Sequence, residues 1–397
     1  MIQTPVYMDN HATTRVDPRV VEAMLPLFHS QYGNAGSTSH VFGWDAKEAV
    51  DRARESIALA IGATPREIVF TSGATESNNL AIRGCADRTR RRGNHIISVM
   101  TEHKAVLDPL SQLARRGFEV TLLPVRQMGD AQAGILDVQR VADAIRDDTL
   151  LVSVMLANNE IGVIQPLAEI GAICKQRGVL LHSDATQAIG KMSVDVERLQ
   201  VDLLSFSAHK LYGPKGVGGL YVRRRAPQVR LTSQIDGGGQ EGGRRSGTLN
   251  VPGIVGLATA VKLGLEEMEA ESARLAELRD CLFKGLTGAI EHVTLNGPSL
   301  VNSNLRLAGN LSCSFADVDG EALMMSMRDL CVSSGSACTS ANPEPSHVLR
   351  ALGLSDDLTR ASLRFGIGRF NTREDVDFAI GLLTEAVHRL RGMSRLV

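Results

Sequence analysis

The sequence predicts an α/β protein: a mainly parallel sheet with helices over both faces, followed by a smaller α+β domain. Three observations carry this. From Glu67 to about Tyr221, the apolar runs EIVF, HIISV, EVTLL, LLVSVML, VLLHS, DLLSF and GGLYV alternate with longer segments of helical period. Strands alternating with helices, with the strands near-continuously apolar, argue a parallel sheet buried on both faces. After the glycine-rich stretch GGGQEGGRRSG the pattern changes to a long helix from about Pro252 to Ile290, then a strand-like LSCSF, a helix from about Gly320 to Asp329, an apolar strand near Leu363 and a last helix from about Thr372 to Leu390. No repeat or Pro/Ser-rich linker separates the two parts, so they are expected to share the long helix rather than a hinge.

Two early elements have explicit signals. Asp17 before Pro18 reads as an N-cap followed by proline at the first helical position. Ala46, Ala49, Val50, Ala53, Ile57 and Ala60 recur at helical spacing and trace one apolar face that stops at Gly62.

At 397 residues and about 150 per domain, the chain has room for more than one core. With hydrophobic residues at 43% and charged residues at 22%, it reads as an ordinary globular protein. Lys and Arg number 43 against 44 Asp and Glu, for a net charge of −1, so no global field draws the chain to nucleic acid or anionic membrane. The dense basic runs are Arg88 to Arg92 and Arg223 to Arg225. Such runs are most often solvated faces, and the second is carried forward as a partner-binding candidate. No basic-apolar leader opens the sequence and no window has spanning length, which predicts a cytoplasmic protein without membrane contact. Cys85, Cys174, Cys281, Cys313, Cys331 and Cys338 form no C-x-x-C pair, as expected of free thiols in a reducing compartment.

In open α/β sheets ligands collect at the carboxyl ends of strands, and five such positions stand out. Thr71 to Glu76 is a small-residue turn opening a helix, either a plain cap or a phosphate site. Thr101-Glu102-His103 places an imidazole where it could stack on a flat ligand or shuttle a proton, or could simply start a helix. Asn158-Asn159-Glu160 offers amides to a polar ring or a turn. Asp184-Ala185-Thr186-Gln187 has capping-box spacing; alternatively Asp184 is a buried carboxylate in need of a cation such as a protonated pyridine. Ser207-Ala208-His209-Lys210 is followed by LYGPKG, which lets backbone approach a ligand closely and gives a lysine able to form a Schiff base.

The segments MDNHATT, FTSGATESNNLAI, TEHKAVL, ANNEIG, DATQAIGK, SFSAHKLYGPKG, GGGQEGGRRSGT and SSGSACTS, in this order over nearly the whole chain, resemble the cysteine desulfurases, a family of fold-type I pyridoxal-phosphate enzymes. The resemblance implies a large cofactor-binding domain at 15–262 with a mainly parallel seven-stranded sheet, and a small domain from 1–14 and 263–397. It implies pyridoxal 5'-phosphate on Lys210, with His103 stacked on its ring, Asp184 on the ring nitrogen, and Asn159 and Gln187 at the ring oxygen. Ala74, Thr75, Ser207 and His209 would hold the phosphate. Thr248 would be lent to the partner's phosphate in a homodimer. Arg364, with Asn159, would bind the carboxylate of L-cysteine, a task for which a planar guanidinium is suited. Cys338, flanked by Ser333 to Ala337 and Thr339-Ser340, all small, would take the sulfur as a persulfide; the segment through TSANPEPSHVL resembles the long-loop group.

The implied product is alanine, and the sulfur would pass to an acceptor protein, an iron–sulfur scaffold or a dedicated partner. Cys174 and Cys313, by contrast, are expected to be packed and inert. A selenocysteine lyase shares the fold and differs in chalcogen preference; an aminotransferase needs no such thiol. A non-catalytic sulfur carrier would not need Lys210, Asp184 and His103 together. Residues 125–134 are expected to be a surface insertion. The few residues after Leu390 are too short for a stable docking helix, so a general scaffold is expected to bind weakly.

Overall fold

The computed structural model describes residues 2–90, 93–301, 303–334 and 344–394. A short strand, β1 (Val6–Tyr7), precedes the main sheet, formed by β2 (Ile68–Thr71), β3 (His95–Val99), β4 (Glu119–Leu123), β5 (Thr149–Ser153), β6 (Leu180–Asp184), β7 (Leu203–Ser207) and β8 (Gly218–Val222). Its order is β2-β8-β7-β6-β5-β3-β4. The β3–β7 neighbours pair in parallel, and β8 runs antiparallel to both β2 and β7. Each apolar run of the sequence became one strand. Every residue of β2, β3, β5, β7 and β8 is buried, as a sheet covered on both faces requires.

Alternation divides the strands between two cores. Ile68, Phe70 and Ile97 pack with Val50, Ile57 and Leu257, whereas Val69 and Ile96 pack with Leu80, Val106 and Leu110. The helix Val41–Ala60 buries Ala46, Val50, Ala53 and Ile57, and Gly62 follows with φ +70°. Asp17 caps the helix Pro18–Met24, accepting from the Arg19 N–H at 3.0 Å, with Pro18 in its first turn.

The helix Val251–Ala289 serves both parts of the molecule. Val251, Ile254, Leu257 and Val261 join the main core; Leu275, Leu278, Leu282 and Leu286 join a second core with Phe315, Phe365, Val376 and Leu383. That second core lies against a sheet of order β12-β13-β10-β9, made of β9 (Val293–Leu295), β10 (Asn310–Phe315), β12 (Ser333–Ser334) and β13 (Ser362–Gly366). β1 pairs in parallel with β11 (Leu330–Cys331), aligning Val6 with Leu330 and Tyr7 with Cys331.

One helix is shorter than its sequence pattern. It spans Gly320–Met325 rather than reaching Asp329, because Leu330 is drawn into β11 and Ser326 closes the last turn on the Ala322 carbonyl. The last helix, Arg373–Ser394, runs past Leu390. Residues 126–132 lie on the surface, anchored by buried Val125 and Ala133. Among the described residues no helix is long and apolar enough to cross a membrane.

Candidate active site

Contacts link the five strand-end segments: Asn78 bonds Asp184, Asn158 bonds Thr101, Gln187 and Lys210 share the His11 carbonyl, and Gly73 borders Ser207. At the end of β7 the chain turns through a short 3-10 segment, Ala208–Lys210. The Lys210 amine donates to the carbonyls of His11 at 2.8 Å and Ala12 at 2.6 Å. Burial lowers its pKa to about 8; the Arg364 charge adds to this, and Asp9 and Asp184 oppose it. A poised amine is what covalent attachment to a carbonyl compound needs.

Asp184 closes β6, and its carboxylate is buried. One oxygen accepts from the Asn78 amide at 2.7 Å and the other from the Thr186 N–H at 2.9 Å. The Thr186 bond makes an Asx-type turn and no capping box forms, since no helix follows Asp184 and Gln187 does not turn back to it. Its amide nitrogen donates to the His11 carbonyl at 2.9 Å, and its oxygen accepts from Lys191 at 2.8 Å.

His103 starts the helix Lys104–Arg115, its Nδ1 accepting from the Ala105 N–H at 3.0 Å. That bond leaves Nε2 for other work, so the helix-start and proton-carrier readings coexist. The ring is open to solvent on one side, yet the protein packed around it lowers its pKa, an effect that Asp184 opposes. Beneath it, Glu102 is buried with one carboxyl oxygen unpartnered; burial, then the nearby Asp184 charge, raises its pKa well above the usual carboxylate range.

The helix Ala74–Thr89 begins at Gly73, whose φ of 151° no side chain would share, and no side chain caps it. Its first-turn N–H groups and dipole favour an anion. Ser207 borders this turn: a Cβ built on Gly73 would lie 3.7 Å from its hydroxyl. His209 Nδ1 lies 3.2 Å from the Thr13 hydroxyl, and burial with the charges of Lys210 and Lys215 lowers its pKa to about 4, keeping the ring neutral.

Arg364, on β13, reaches in from the second sheet. One terminal nitrogen donates to Asp9 and to Ser333, each at 2.7 Å, the other to the Asn159 carbonyl at 3.2 Å, and Nε is buried without a partner. Asn159 therefore meets Arg364 through its backbone. Its neighbour Asn158 is structural, bonding the Thr101 carbonyl and the N–H groups of Glu160 and Ile161.

The model of the class-V aminotransferases matches residues 6–378. The chain is 58% identical over 396 residues to "Cysteine desulfurase IscS" of Anaeromyxobacter dehalogenans (strain 2CP-C), covering 100% of this chain and 95% of that protein. This chain belongs to the class-V aminotransferase family, among its cysteine desulfurases. Two solved structures agree. A "NifS-like protein" superposes with a TM-score of 0.88 at 38% identity, covering 97% of this chain and 100% of its own. "SspA in complex with cysteine" superposes with a TM-score of 0.79 at 37% identity, covering 92% and 99%.

In this desulfurase fold, the structure brings together Lys210, Asp184, His103, Gln187, Ser207, His209, Arg364 and the Ala74-Thr75 turn. Thr248 stands apart, exposed on the glycine-rich loop shortly after Arg245, which pairs with Glu76 of that turn at 2.8 Å. Cys338 lies outside the described residues. Cys85, Cys174 and Cys313 are buried, and burial pushes each thiol up to about 12. The run Arg223 to Arg225 is largely spent within the chain, Arg223 pairing with Asp202 at 2.6 Å and Arg225 with Glu197 at 2.7 Å. Sequence reasoning missed Asp9, His11, Asn78, Lys191 and Ser333. Asp9 and His11 had a signal, being polar residues directly after the apolar VYM, but their partners are too distant in sequence to infer.

Proposed function

We propose that the chain converts L-cysteine to L-alanine with pyridoxal 5'-phosphate held on Lys210, and that Cys338 receives the sulfur for delivery to an acceptor protein. One observation carries the reading. A half-buried lysine with a pKa near 8 feels both an arginine with an unpartnered nitrogen and a buried carboxylate, and that carboxylate is bonded by Asn78 of a helix whose N-terminus no side chain caps. The donor set fits the cofactor: Lys210 for its carbonyl, Asp184 for its ring nitrogen, and Ala74, Thr75, Ser207 and His209 for its phosphate. Bound there, the cofactor supplies an electron-withdrawing ring that stabilises negative charge beside an amino group.

The protein's own groups do the rest. Arg364 takes the substrate carboxylate, with Asn159 bordering it. Lys210 moves the proton at Cα, and His103 moves the thiol protons through Nε2. The Cys338 thiolate attacks the substrate sulfur, so that an S–S bond forms as the C–S bond breaks; the carbon fragment leaves as alanine after protonation, and Cys338 retains the extra sulfur.

A second copy of the chain completes the reading. Val21 (47% exposed), Leu25 (55%), Phe28 (62%), Tyr32 (65%) and Trp44 (57%) leave a large apolar face open, and an exposed Thr248 suits donation across an interface. We place the working unit as a homodimer of a 15–262 domain and a second domain of 1–14 and 263–397. The compartment is the cytosol, where thiols such as the five described free cysteines stay reduced. The test is chemical: visible absorbance of the purified protein, borohydride reduction and peptide mass analysis, followed by alanine and sulfide assay. Cofactor mass on any residue other than Lys210 rejects the reading.

A further inference from the structure

The Gln187 amide is held by a closed set of bonds. Lys191 Nζ lies 2.8 Å from Oε1, His11 Nδ1 lies 3.2 Å from the same oxygen, and Nε2 donates to the His11 carbonyl at 2.9 Å. That carbonyl also receives the Lys210 amine at 2.8 Å. Gln187 and His11 are both buried, at 3% exposure each. An amide can be turned end for end with little change in shape, so something must choose between its two orientations. A protonated lysine has donors only, and the atom it faces must therefore be oxygen. Turned over, the amide would set its NH2 against Lys191 in a place where burial makes an unpaired donor costly.

We propose that Lys191 is a positioning residue that locks the Gln187 amide with its nitrogen on the carbonyl shared with Lys210. The lock leaves Gln187 a second N–H to offer beside the Lys210 amine, which selects an oxygen anion as its ligand; this deepens the pyridoxal-phosphate reading above and rests on it. His11 is set by the same choice: with Oε1 fixed as acceptor, its Nδ1 carries the proton. Lys191 also borders a cavity of about 30 Å3 shared with His11, Tyr212, Glu271 and Ser272, room for about one water. Burial, then the charges of Lys210 and Arg364, lowers the Lys191 pKa to about 7, with Glu271 opposing. The lock is therefore strongest below that pH and relaxes above it.

The test uses the cofactor-loaded enzyme. In Lys191→Met, the pH midpoint of the visible absorbance should rise by about one unit, and kcat should fall about tenfold with KM within about twofold. Lys191→Gln, which keeps a donor, should restore the midpoint. In a Gln187→Leu background, adding Lys191→Met should move the midpoint much less and leave kcat unchanged, since only the direct effect of the Lys191 charge on Lys210 remains once Gln187 is gone. An unmoved midpoint in Lys191→Met, an equal shift in both backgrounds, or a Lys191→Gln enzyme as impaired as Lys191→Met each overturns the proposal. If Lys191→Met does not fold, Lys191→Ala takes its place in every comparison. Wild-type enzyme without visible absorbance would instead sink the cofactor reading, which keeps the two failures distinct.

Discussion

Asp9 and Arg364 form an ion pair at 2.7 Å, and the Ser333 hydroxyl bonds both partners, donating to Asp9 at 2.8 Å. Their side chains are only 19% and 12% exposed. The pair sets the guanidinium plane from one side and the Asn159 carbonyl takes the second terminal nitrogen, which leaves the buried Nε–H as the donor without a partner to meet a carboxylate. Replacing Arg364 by lysine removes the fork while keeping the charge. KM for L-cysteine is expected to rise about 100-fold with a smaller change in kcat. Steady-state alanine release decides; an unchanged KM would falsify the substrate-clamp assignment.

Asp9 also acts on Lys210. Its charge supports the protonated amine, against burial and Arg364, which lower the pKa to about 8. In cofactor-free Asp9→Asn, the Lys210 pKa should fall further below its ordinary value. More free amine is then present at pH 7.5, so competitive acetylation read by mass spectrometry should label Lys210 faster than in the wild type. Slower labelling would mean that the carboxylate does not reach the amine.

The cysteines should separate by reactivity. Cys85, Cys174 and Cys313, whose thiols burial pushes up to about 12, should resist iodoacetamide at pH 8 in the native protein. Cys338→Ser should retain bound cofactor but lose persulfide and alanine formation, whereas serine at the other five positions should spare most activity. A persulfide recovered on Cys281 or Cys331 instead would overturn the assignment of Cys338.

Glu241 accepts from Arg54 at 2.6 and 2.9 Å and from the Phe70 N–H at 2.8 Å, with its side chain 1% exposed. The bonds tie the Thr248 loop to β2. Glu241→Gln strands the Arg54 charge and should cost about 3 kcal/mol, measured as a drop in the urea midpoint. A loss no larger than that of an exposed pair would show that Arg54 finds water instead.

The open apolar face predicts association. Trp44→Asp or Phe28→Asp should shift sedimentation toward the monomer and weaken cofactor retention, because the proposed donation of Thr248 to a second subunit would be lost. A dimer that persists in both variants would place the interface elsewhere.

The main sheet was legible because most of its strands are short apolar runs closed by a polar or small residue, as EIVF and GGLYV are, and because burial on both faces leaves little sequence ambiguity. Asp17-Pro18 and the Ala46 to Ile57 face were legible for the same local reason. β1, β11 and β12 were not, since two residues show no period. In the site, Lys210, Asp184 and Arg364 could be named from their segments, but what orients them could not. Asn78 on Asp184, Asp9 on Arg364 and Lys191 behind Gln187 are tertiary choices among many polar residues. The turn at Asp184 shows the limit: the capping-box spacing is present but no box forms, because Gln187 bonds His11 and Lys191 instead.

The pairing of β1 with β11 has a consequence for biosynthesis. The carbonyls of His11 and Ala12 that hold Lys210, and the Asp9 carboxylate that holds Arg364, all follow directly from β1. That strand has no partner until residues 330–331 have emerged from the ribosome, and Arg364 emerges later still. On a nascent chain the main sheet can close around its core well before this, since β2 through β8 end at Val222. A translating chain can therefore carry the main sheet before β1 has its strand partner, and the Asp9 to Ala12 segment beside Lys210 gains that support only once Leu330 and Cys331 are available.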